Sequence, residues 1–66
     1  MTRTLYLIWD GDSYEIEVNG FSITGIWRYQ GNRNTRPEFC QYKNLDEELQ
    51  HEIDHKVMKV YGEPNL

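Results

Sequence analysis

Two turn dipeptides divide residues 1–30 into three runs of alternating polarity, and this punctuation restricts what the chain can fold into more than any other feature. Leu5, Leu7 and Trp9 fall on one side of an extended segment, with Tyr6 and Ile8 on the other. Tyr14, Ile16 and Val18 then alternate with Ser13, Glu15 and Glu17, and Phe21, Ile23, Gly25 and Trp27 with Ser22, Thr24, Ile26 and Arg28. Successive side chains of a strand point to opposite faces, so the pattern predicts three half-buried antiparallel strands, over about 4–9, 13–18 and 21–29. Asn19-Gly20 is a strong hairpin signal, because a type I′ turn needs positive φ at both central residues. A two-residue turn there sets Val18 opposite Phe21, Ile16 opposite Ile23 and Tyr14 opposite Gly25, where the glycine leaves room for the tyrosine ring or marks a bend. Asp10-Gly11 marks the other reversal. A two-residue loop pairs Leu7 with Tyr14 and Leu5 with Ile16, and a four-residue loop pairs Trp9 with Tyr14; either keeps the same residues on the same face.

Residues 30–37 are polar and read as an exposed loop, and 38–43 as either a short fourth strand or extended chain leading into a helix. The helix is expected over about 45–61. Asn44 is placed as its N-cap with Glu47 as capping-box partner, Asp46, Glu47 and Glu48 sit at the positive end of the dipole, and Lys56 and Lys59 lie toward the negative end. Gly62 and Pro64 mark its end. Leu45, Leu49, Ile53, Val57, Val60 and Tyr61 form an apolar stripe that must bury against the sheet, since neither element can hide its apolar side alone. The expected fold is α+β: an antiparallel meander of three strands, with 38–43 as an optional fourth, packed on one C-terminal α-helix, β-β-β-(β)-α.

The 66 residues bound this to one small domain, 1–66, with a limited core. Cys40 is the one cysteine, so no intrachain disulfide can staple the chain, and a reducing, cytoplasmic setting is expected. No signal-peptide pattern or apolar run of membrane-spanning length is read in the sequence. Seven basic and eleven acidic side chains give a net charge of −4. The excess lies in 45–66, where Asp46, Glu47, Glu48, Glu52, Asp54 and Glu63 face only Lys56 and Lys59. Such a surface repels a nucleic-acid backbone and suits a basic protein partner.

His51-Glu52-Ile53-Asp54-His55 is an H-E-x-x-H string and resembles the motif of zinc metalloproteases over those five residues. What the resemblance implies is a metal pair, His51 and His55, with Glu52 as general base. Helical phase opposes it. At about 100° per residue, both histidines fall nearly opposite the apolar stripe, away from the one layer that could wall a cleft. A third ligand would have to come from Glu47, Glu48 or Asp54 on the same helix, or from Cys40. Asp54 also places a charge inside the motif, and Lys59 opposes a bound cation. No cofactor and no catalytic residues are therefore assigned.

Arg28, Arg33 and Arg36 beside Trp27 and Tyr29 form the second candidate, since stacking with basic charge is how single strands are held. The acidic remainder of the surface disfavours it. The third is the outer sheet face, where Tyr6, Ile8 and Ile26 are apolar in positions a two-layer domain would keep polar. Either Phe39 and Tyr42 cover them or they form an interface, reinforced by an open edge strand. The sequence reading is thus a small, acidic, non-catalytic protein-interaction or regulatory module. Its expected contacts are Tyr6, Ile8 and Ile26, with Glu48, Glu52 and His55 on the helix, and its expected partner is a larger protein or a second copy. Zinc binding through His51 and His55, and single-strand binding through Trp27, Arg28, Arg33 and Arg36, are the alternatives.

Overall fold

A computed structural model describes residues 2–31 and 35–62. Four antiparallel strands, β1 (Thr2–Trp9), β2 (Asp12–Asn19), β3 (Ser22–Tyr29) and β4 (Glu38–Cys40), lie in sequence order across one sheet. The helix α1 (Glu47–Val57) packs on one face, preceded by a 3₁₀ turn (Tyr42–Asn44) and followed by a π-helical turn (Met58–Gly62). Segment 38–43 therefore divides, its first half pairing with β3 as a true strand and its second half winding into the 3₁₀ turn.

The first hairpin closes through Asp10 (φ 52°) and Gly11 (φ 83°), both in the left-handed region that a type I′ turn demands. It sets Trp9 against Asp12, Leu7 against Tyr14 and Leu5 against Ile16, the two-residue register. The second hairpin departs from expectation. Its central residues are Gly20 and Phe21 rather than Asn19 and Gly20, with only Gly20 at positive φ (64°), as a glycine-first turn requires. Phe21 consequently sits at the turn tip, its ring 6.2 Å from that of Tyr61, instead of facing Val18.

Moving a two-residue turn by one position shifts each pairing by two residues and leaves every β3 side chain on its face. A β-bulge then reverses the rest of the strand. Val18 pairs with Ile23, but Glu17 pairs with Gly25 and Ile16 with Ile26, leaving Thr24 as the extra residue. The Thr24 hydroxyl donates to the Glu17 carbonyl (3.1 Å) and to its carboxylate (3.0 Å), tying the bulge down. Ile23 and Ile26 thereby both face the helix. Ile26, expected on the outer face, is 1% exposed and part of the core, whereas Trp27, expected inside, lies on the outer face. The core is Leu5, Tyr14, Ile16, Val18 and Ile26 from the sheet with Leu49, Ile53 and Val57 from α1. Each such aliphatic side chain contributes about 1.5–3 kcal/mol on burial.

The helix begins two residues later than its sequence signals suggest. Asp46, not Asn44, is the N-cap: its carboxylate accepts from the Glu48 amide at 2.9 Å, while Asn44 closes the 3₁₀ turn by donating its amide to the Gln41 carbonyl. Gln50 donates to the carbonyls of Tyr42 (2.8 Å) and Leu45 (3.2 Å), fastening the turn along the helix. Of the apolar stripe, Leu45 and Tyr61 are half-buried and Val60 is exposed. Pro64 lies outside the described residues.

Candidate functional site

Two surfaces meet at β1. The sheet order makes β1 an edge, and the two-residue hairpin makes Trp9, Leu7, Leu5 and Arg3 the residues whose backbone bonds to β2. The intervening residues, Thr2, Thr4, Tyr6 and Ile8, therefore direct N–H and C=O outward along the edge, and their side chains stand on the face of the sheet away from α1.

That outer face bears Tyr6 (50% exposed) and Ile8 (77%) at the β1 side and Phe39 (60%) on β4. Trp27 bridges toward Phe39 in an edge-on contact, ring centroids 5.8 Å apart. The indole also lies over Gly25: a Cβ there would come within 2.3 Å of the ring, so the glycine serves the tryptophan rather than the Tyr14 ring. Glu15 and Glu17 lie among these aromatics. The Tyr29 hydroxyl donates to Glu15 at 3.2 Å, and Thr24 donates to Glu17.

On the other face, a shallow flank runs between β1 and α1. Near the helix N-terminus Trp9 borders a cleft of about 420 Å³ with Glu47, Glu48, His51 and Glu52. Farther along, Leu7 lines a second cleft with Glu52, His55, Lys56 and Lys59. At the far end the Arg3 guanidinium rests over the Tyr61 ring, 5.5 Å from its centroid. The flank thus changes from acidic beside Trp9 to basic beside Arg3, following the helix's own acidic first turn and basic last turn.

Tyr6 and Ile8 accordingly lie on one side of β1, Glu48, Glu52 and His55 on the other, and Ile26 is buried between the layers. The residues of the metal motif are exposed on α1, and among the described residues no group of three or more His, Cys, Asp or Glu is arranged to hold a metal ion. Asp54 has a structural partner, accepting from the Tyr42 hydroxyl at 2.7 Å. That bond, together with burial, pushes the Tyr42 pKa up to about 12.

The basic cluster is dispersed. Trp27 faces outward while Arg28, next in the strand, points to the helix side and pairs with Glu38 through Nε (3.1 Å) and through its terminal nitrogen. That pairing, with a further bond to Tyr14, raises the Arg28 pKa. Arg36 is exposed and Arg33 lies outside the described residues. Trp27 and Arg28 therefore do not form one stacking and charge-neutralising surface. Burial pushes the Cys40 thiol above its usual range despite nearby Arg28, which suits a packing residue and not a nucleophile.

The outward position of Trp27 was not readable from alternation, although the spacing Ile23-x-x-Ile26 carries the trace of the bulge that causes it. No helix among the described residues is long and apolar enough to cross a membrane. Comparison with protein families, with curated proteins and with solved structures finds no match.

Proposed function

We propose that the chain is a non-catalytic protein-interaction module that engages a larger partner through the outer face of its sheet. The observation that carries this is the exposed apolar surface: Tyr6, Ile8 and Phe39 are at least half exposed, with Trp27 edge-on to Phe39 beside them. Isolated exposed apolar residues need no explanation, but a face of a sheet that no second layer among the described residues covers and that carries several of them does. Glu15 and Glu17 on the same face, and the −4 net charge, fit a partner surface that is apolar at its centre and basic at its rim. Large aromatics anchor such contacts at low cost in side-chain entropy. The lone cysteine supports a reducing, cytoplasmic setting for the encounter.

The test is affinity capture from source-cell lysate with mass measurement of the complex, comparing the wild-type chain with Phe39→Glu combined with Glu17→Lys. Both positions lie outside the core, and the Thr24 hydroxyl keeps its bond to the residue-17 carbonyl, so the variant should fold, as circular dichroism would verify. A partner held by the wild type and lost by the variant is the expected result. A partner held equally by both would place the contact elsewhere, and a wild-type chain that captures nothing would remove the reading.

A further inference from the structure

From the β1 edge and the charge gradient of its flank, we propose that a second copy of this chain docks antiparallel on β1 across a two-fold axis, joining two sheets into one. This interface uses the backbone edge of β1, whereas the outer-face contact uses side chains that include Tyr6 and Ile8 of the same strand, and it does not depend on that contact.

Three observations lead to it. First, β1 is an edge eight residues long, and natural edges of that length are blunted by charge, proline or a bulge. Here the residues that direct backbone groups outward are Thr2, Thr4, Tyr6 and Ile8, all uncharged and three of them β-branched. The only bulge in the sheet's described ladders lies on the far side, between β2 and β3.

Second, a two-fold interface must be self-complementary, since the same patch meets itself reversed. The flank of β1 has this property. Its acidic end is Trp9 with Glu47, Glu48 and Glu52, and its basic end is Arg3 with Lys59. Reversal lays the basic end of one copy on the acidic end of the other, twice.

Third, charge selects the register. Centring the axis on Tyr6 pairs Tyr6 with its symmetry mate and Thr4 with Ile8 of the second copy, giving about six backbone hydrogen bonds. On the helix side it sets Arg3 opposite the second copy's Trp9, within the acidic cleft, where the guanidinium finds both an aromatic face and carboxylates. Centring on Leu5 instead would put Arg3 opposite Leu7, where Lys56 and Lys59 accompany the one carboxylate of Glu52. The first arrangement sets Arg3 against three carboxylates and no lysine, and is the one the charges favour.

Sedimentation equilibrium from about 1 µM to about 1 mM, a range suited to a small interface, tests it. The wild-type mass should climb from 8.0 kDa toward about 16 kDa. Thr4→Pro removes an outward N–H while sparing the ladder to β2, and should hold the mass near 8.0 kDa. Arg3→Glu should raise the dimer dissociation constant at least about tenfold, and adding Glu47→Lys and Glu48→Lys should restore it. In a Cys40→Ser background, Tyr6→Cys should cross-link to itself under mild oxidation at least about tenfold faster than Ile8→Cys, since only residue 6 meets its mate at disulfide distance. A wild type that stays at 8.0 kDa throughout, an undiminished Arg3→Glu dimer, or equal cross-linking of the two cysteines would each overturn the proposal. Circular dichroism on every variant separates loss of association from loss of fold.

Discussion

Gly25 and Trp27 show how one side chain fixes the identity of another. The indole folds back across the strand onto Gly25 on one side and meets Phe39 on the other, so it has no clear direction in which to retreat from an added methyl group. Gly25→Ala should therefore destabilise by about 1–3 kcal/mol, the usual range for overpacking. Urea unfolding followed by tryptophan fluorescence would measure it. The same alanine in a Trp27→Leu background should cost much less, and an equal cost in both backgrounds would assign the penalty to the bulge backbone instead. Tyr42 gives a second prediction at this scale. Its hydrogen bond to Asp54 raises its pKa from 10.0 to about 12. A group raised in the folded state contributes fully below its unfolded pKa and loses that contribution as pH rises through the folded value. The bond should thus be intact below pH 10 and lost between pH 10 and about 12. Tyr42→Phe should lower stability at neutral pH by about 0.5–1.5 kcal/mol and flatten that alkaline decline. A decline just as steep in the phenylalanine variant would show that other groups cause it.

At the level of elements, the signals that depend on one interaction are legible in the sequence and those that depend on two competing ones are not. The first hairpin was legible because Asp10 and Gly11 both tolerate positive φ and nothing competes with them. Asn19-Gly20 carries the same preference, yet adopting it would put Phe21 and Gly25 inward in place of Ile26. The observed turn and the Thr24 bulge together bury Ile26 and pack the partly buried Ile23 against the core, so packing overrode local turn chemistry. The same outcome reshapes the candidate site: it moves Ile26 into the core and brings Trp27 to the outer face, while Tyr6 and Ile8, on the first hairpin, stand where alternation puts them. The start of α1 follows the same logic. Asn44 and Asp46 are both good caps, and the 3₁₀ turn, held by Gln50 and Tyr42, takes up Asn44 and leaves the cap to Asp46. Asp46→Ala should cost about 1 kcal/mol, whereas Asn44→Ala should stay within a few tenths. Thermal unfolding of the two variants decides this, and the reverse order would return the cap to Asn44.

For the molecule as a whole, the decisive property is that, among the described residues, one helix covers one face of a four-stranded sheet and leaves an edge and a face without a layer of their own. The eight buried side chains make a small core, and chains of this length hold a net stability of only a few kcal/mol. Any association that selects the folded form is then a large fraction of the total and must appear in the melting temperature. Each kcal/mol gained moves the midpoint of a domain this size by about 4–8 °C. If two copies join along β1, the midpoint of the wild type should rise with protein concentration across the range from about 1 µM to about 1 mM, because unfolding then also dissociates the dimer. The Thr4→Pro chain, unable to complete the shared ladder, should melt at one temperature throughout. A concentration-independent midpoint in the wild type would count against the edge while leaving the outer face as a partner surface untouched, since that face needs no second copy to present Trp27 and Phe39.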